Sequence, residues 1–77
     1  MDVHALRSAL CASGVPDGYH WTEGVHEPAP TPPDFVYVRG DGQGAWEVGT
    51  YERGAWHPLA RGLDEAEACR RMLRLLI

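Results

Sequence analysis

The spacing of apolar residues along this chain changes period twice, and the changes mark its elements. In the opening stretch, MDVHALRSALCASGVPDG, Val3, Leu6 and Leu10 recur every three to four positions, the spacing that puts side chains on one face of a helix. Asp2 stands where a cap would accept free amides, and Gly14 followed by Pro16 supplies a stop. From Gly18 the period falls to two. In GYHWTEGV, Tyr19, Trp21 and Glu23 alternate with His20 and Thr22, which predicts a strand with one face partly buried.

Four prolines between Pro28 and Pro33 then remove amide donors and hold the backbone extended, so residues 27–33 read as an exposed Pro-rich loop. FVYV resumes a strand from Phe35 to Arg39, and GDGQG provides a turn between antiparallel strands. In GAWEVGTYERGAW, Trp46, Val48 and Thr50 fall on one face and Glu47, Gly49 and Tyr51 on the other. Arg53 and Gly54 make the next turn, and WHPLA returns as an edge or irregular strand because of Pro58. A domain this small has few spare aromatics, so Trp46, Val48 and Trp56 are expected in the core, with Glu47, Tyr51 and Glu52 facing outward.

The period returns to helical at the end. Asp64 followed by Glu67 resembles a capping box, and Ala68, Cys69, Met72, Leu73 and Leu76 form an apolar stripe. Arg70, Arg71 and Arg74 lie off that stripe near the negative end of the helix dipole, where Glu67 can pair with Arg71. The predicted fold is α+β: a two-layer sandwich in which an antiparallel sheet of three to four strands carries the N- and C-terminal helices on one face. Residues 1–77 form a single domain.

Composition adds a direction of charge. Eleven carboxylates oppose seven arginines, with no lysine, for a formal charge of −4. That balance disfavours general nucleic-acid binding and helps association with a basic protein surface; the arginines of the last helix are the one feature favouring a small nucleic-acid binder. Cys11 and Cys69 cannot make a CxxC clip and are expected as free thiols on packed helix faces. No apolar run reaches the roughly 20 residues of a membrane span. With no secretory leader pattern at the start, a soluble cytoplasmic protein is expected.

Little in the sequence calls for catalysis. Ser8, Ser13, Cys11 and Cys69 fall on or beside helices without the context of a nucleophile, and neither glycine turn leads into a helix that would cradle phosphate. No catalytic residue or cofactor is expected. His20, Glu23, His26 and Glu27 are the only cluster of metal-ligand types. On one continuous strand, His20 and His26 would stand roughly 20 Å apart, too far for one ion, unless the chain folds back near Gly24; no metal is expected.

One resemblance bears on function. Trp46, Glu47 and Val48, then Tyr51, Glu52, Arg53 and Gly54, then Glu65, Glu67, Ala68 and Cys69 before a leucine-rich helix end, resemble small bacterial proteins of the form WEVYYSERG…F.TE.EAC..LL..L. Ser13 to Tyr19 fit the SGVP..GY that precedes this pattern. The chain departs from it at Gly49 and Thr50, where the pattern has aromatics, at Gly62 and Leu63, where it has phenylalanine, and in the Pro-rich insertion. Such proteins look like immunity proteins of polymorphic toxin systems.

The resemblance implies a cytoplasmic antitoxin that binds and blocks a cognate toxin domain, such as a basic nuclease or nucleotide-handling enzyme. Its partner-binding residues are then expected to be Glu47, Tyr51, Glu52 and Arg53, with Glu23 and Glu27 from the acidic loop. The alternative is a small interaction or regulatory module with no toxin partner.

Overall fold

Asp2 opens the first helix, α1 (Val3–Ala12), by accepting the amide of Ala5 at 2.8 Å. The helix ends where Gly14 takes a positive φ of 78°; the Gly14 amide donates to the Cys11 carbonyl and the Val15 amide to the Leu10 carbonyl. This is a Schellman closure, and Val15 folds back onto the core beside it. A single 3₁₀ turn, Asp17–Tyr19, leads into β1 (His20–Thr22). β2 (Asp34–Gly40), β3 (Trp46–Glu52), β4 (Ala55–Leu63) and α2 (Glu65–Leu76) follow. The computed structural model describes all residues from Met1 to Ile77.

The strands form one sheet in the order β1-β2-β3-β4. β2, β3 and β4 pair antiparallel as expected, but β1 runs parallel to β2, with His20 facing Val36 and Thr22 facing Val38. The Pro-rich loop accounts for this. Extended proline-rich backbone covers about 3.1 Å per residue, so residues 27–33 carry the chain back along the sheet and β2 starts at the same end as β1.

Both helices pack on one face of the sheet. Val3, Leu6 and Leu10 of α1 and Ala68, Cys69 and Met72 of α2 close over Val38 and Val48. Asp64 caps α2 by accepting the Glu67 amide at 2.7 Å, and Glu67 pairs with both Arg70 and Arg71. Glu65 accepts the Val3 amide at 2.9 Å, which fastens the start of one helix to the start of the other. Trp46 packs on this core as expected. Cys69 is buried and Cys11 is exposed, a correction to the expected packed position; both are free thiols. No helix is long and apolar enough to cross a membrane.

β4 is the edge strand predicted from Pro58, and it is irregular. Trp46 faces Leu63, Val48 faces Ala60 and Gly49 faces Pro58, so Leu59 and Gly62 are extra residues without a counterpart on β3. A one-residue insertion turns all later side chains to the opposite face. The extra Leu59 sends Ala60 to the helix side and Arg61 to the other. Asp41, in the turn after β2, accepts the Gly62 amide at 3.2 Å and steadies the second irregularity.

Candidate partner-binding face

The sheet face away from the helices has no second layer. Alternation along the strands projects Trp21 from β1, Phe35, Tyr37 and Arg39 from β2, and Glu47, Gly49 and Tyr51 from β3 onto it. Across the two-residue turn Arg53-Gly54, Tyr51 faces Trp56, which places Trp56 here as well. This corrects the expected core position of Trp56. Counting pairs outward from the turn, Glu52 to Ala55 and then Tyr51 to Trp56, is the sequence signal that locates it.

Trp56 is the hub of the face. Its ring meets Trp21, Phe35, Tyr37 and Tyr51 edge-on at centroid distances of 4.7 to 5.8 Å, the orientation favoured by the positive edge and negative face of aromatic rings. Phe35 and Tyr51 stack in parallel at 4.6 Å. The Arg39 guanidinium lies 4.2 Å from the centre of the Trp56 ring, a cation–π contact. Phe35 and Tyr37 are buried beneath, while Trp21, Tyr51 and Trp56 are half-buried and form the outer layer.

Beside the rings sits a polar centre. Glu47, expected to face a partner, is on the predicted face of β3 but only 2% exposed. Its carboxylate accepts the Tyr37 hydroxyl at 2.7 Å and pairs with Arg39 at 3.1 Å and Arg61 at 3.3 Å. Glu47 is therefore an internal organiser of the face rather than a contact surface. Burial first, and the neighbouring carboxylate second, push the Tyr37 phenol far above its ordinary pKa, so the hydroxyl remains a donor. Gly49 makes room for this arrangement: a Cβ there would lie 2.3 Å from the His57 carbonyl oxygen and 2.9 Å from the Tyr37 hydroxyl.

The other expected contact residues divide into two groups. Glu52 and Arg53 are exposed at the β3–β4 turn, next to half-buried Tyr51. Glu23 and Glu27 are exposed after β1, where Glu23 accepts the Gly40 amide and Glu27 the Gly24 amide. Because Glu52 pairs with Asp34 while Glu23 meets Gly40, the groups lie at opposite ends of β2, about 20 Å apart at the strand rise. Glu23 borders the open face, whereas the alternation that puts Tyr51 on that face turns Glu52 to the helix side at the end of β3, near Leu76, a correction to its expected place beside Tyr51.

The expected separation of His20 and His26 is also corrected. The chain does fold back at Gly24, which has a φ of 77°; Thr22 bridges His26, and the two imidazoles stack at 4.3 Å. Comparison of the chain with family models, with curated proteins and with solved structures finds no match.

Proposed function

We propose that this chain is a non-enzymatic immunity protein that docks a cognate toxin domain on the open face of its sheet and blocks it. The observation that supports docking there is the outer layer of Trp21, Tyr51 and Trp56 around a guanidinium held by a buried carboxylate. Trp, Tyr and Arg are the residue types that most often dominate binding energy at protein interfaces. A single uncovered sheet face rich in them is what an isologous or heterologous partner would cover. The resemblance of its motif to small immunity proteins is what names a toxin as that partner, and several motif residues line or support this face: Glu47 organises it, Tyr51 belongs to it, and Arg53 and Gly54 form the turn at its edge.

The net charge of −4 and the exposed carboxylates of Glu23, Glu27 and Glu52 favour a partner with a basic perimeter, captured by electrostatic steering. The proposed place of action is the cytoplasm. Co-expression with the protein encoded directly upstream tests the reading. A stable complex that silences the activity of that protein supports immunity; a complex that leaves its activity intact favours an interaction module, and no complex overturns the assignment. Within a complex, Glu23→Lys with Glu52→Lys should slow association at least about tenfold at low salt, and an unchanged rate would remove these carboxylates from the encounter.

A further inference from the structure

The three buried polar side-chain atoms without a hydrogen-bond partner lie together on β1: both ring nitrogens of His20 and the hydroxyl of Thr22. His20 is fully buried, on the helix side of the sheet. A neutral imidazole carries one donor and one lone pair, and neither is used here. Buried polar groups are nearly always satisfied, and a group that is not calls for an occupant.

Two further ligand types converge on this ring. The donor atoms of Asp17, His20 and His26 all lie within 4.8 Å of one another. His26 Nε2 contacts the Asp17 backbone oxygen at 2.9 Å. A carbonyl oxygen only accepts, so His26 carries its proton on Nε2 and directs the lone pair to Nδ1. A backbone carbonyl fixing one ring nitrogen is the usual way a metal-binding histidine is oriented.

We propose that Asp17, His20 and His26 bind a single first-row divalent metal ion, of which zinc is the best fit. Two imidazoles and one carboxylate are a ligand set for zinc, cobalt or ferrous iron, unlike the all-oxygen sets of magnesium and calcium. Around a tetrahedral zinc with bonds near 2.0–2.1 Å, neighbouring donor atoms stand about 3.3 Å apart. Because the two rings stack at 4.3 Å with their planes 26° apart, closing on one ion requires half-buried His26 to rotate out of the stack so that its in-plane lone pair meets the ion, with exposed Asp17 following, while His20 stays fixed in the core. Asp17 supplies the compensating negative charge, and exposed Arg7 on α1 is the opposing cation. The ion would staple the 3₁₀ turn, β1 and the fold-back at Gly24 into one unit.

The test uses the untagged, metal-stripped chain carrying Cys11→Ser, so that the exposed thiol cannot compete. Titration with Co²⁺ should saturate at one equivalent with visible d–d absorption, Zn²⁺ should displace it, and the ring signals of His20 and His26 should shift in NMR while those of His4 and His57 do not. His26→Asn and Asp17→Asn should each weaken binding at least about tenfold, with an unchanged amide spectrum outside residues 17–27 showing that the variants keep the fold. Failure of both ions to saturate at one equivalent would overturn the proposal, as would binding retained by His26→Asn or shifts confined to His4 and His57.

Discussion

The Tyr37 hydroxyl donates to the buried Glu47 carboxylate at 2.7 Å, and the same oxygen receives Arg39 Nε at 3.1 Å. One acidic group thus holds a phenol and a guanidinium in fixed positions beneath Trp56. Removing its charge should loosen all three. Glu47→Gln should cost about 1–3 kcal/mol in urea unfolding, the range for a buried charged hydrogen-bond acceptor, moderated because Arg61 is largely exposed. A change below about 0.5 kcal/mol, within the range of ordinary surface substitutions, would mean that Glu47 organises nothing.

Gly49 tolerates no side chain. Its Cβ position is 2.3 Å from backbone of β4, and backbone cannot turn aside as a flexible side-chain end can. Gly49→Ala should cost about 3 kcal/mol or more, at the high end for overpacking, and should detach β4 first, visible as faster amide exchange in residues 55–57. Uniform exchange with unchanged stability would contradict the close approach.

Arg53 has a φ of 52° in the two-residue turn, followed by Gly54 at 80°, the positive pair that such hairpins require. Asn adopts this region more readily than Arg. Arg53→Asn should raise stability by about 0.5 kcal/mol in thermal unfolding. Because Arg53 also stands at the edge of the proposed face, the same variant should bind the partner more weakly. Coincident loss of stability and binding would make Arg53 structural rather than a contact.

Acid should weaken the fold through three carboxylates held below their usual pKa. Amides of Gln43, Ala45 and Gly62 do this for Asp41, the Ala5 amide for Asp2, and Arg70 with Arg71 for Glu67. In each case the folded state binds fewer protons than the unfolded state, so stability rises with pH within that window. It is fully present above the ordinary carboxylate pKa of about 4 and is lost as pH falls through the lower folded values. Tm should decline gently as pH drops below about 6.5, where the unfolded chain protonates a His20 ring that the buried folded site keeps neutral, and steeply below about pH 4, with a shallower acid fall in Asp41→Asn. Identical profiles would remove Asp41 from the account.

The helices, their caps and the antiparallel β2–β4 ladder were legible in the sequence because local patterns determine them: Asp2 and Asp64 as caps, Leu6 and Leu10 at helical spacing, glycine pairs at turns. The direction of β1 was not, since period-two alternation at His20 to Thr22 is the same for parallel and antiparallel pairing. Glu47 was assigned correctly to the face opposite Val48, but its burial depends on Tyr37, Arg39 and Arg61, brought in from two other strands. The extra Leu59 decides where Arg61 points, and nothing local announces it. The His20–His26 stack required knowing that the chain reverses at Gly24.

The three tryptophans offer the most direct test of the docking face, because Trp21 and Trp56 lie on the open side and Trp46 packs toward the helices. Titrating the ¹⁵N-labelled chain with the proposed partner, the protein encoded directly upstream, should shift or broaden the indole N–H signals of Trp21 and Trp56 and leave that of Trp46 in place. A complex that moves the Trp46 signal while those of Trp21 and Trp56 stay unchanged would contradict the account.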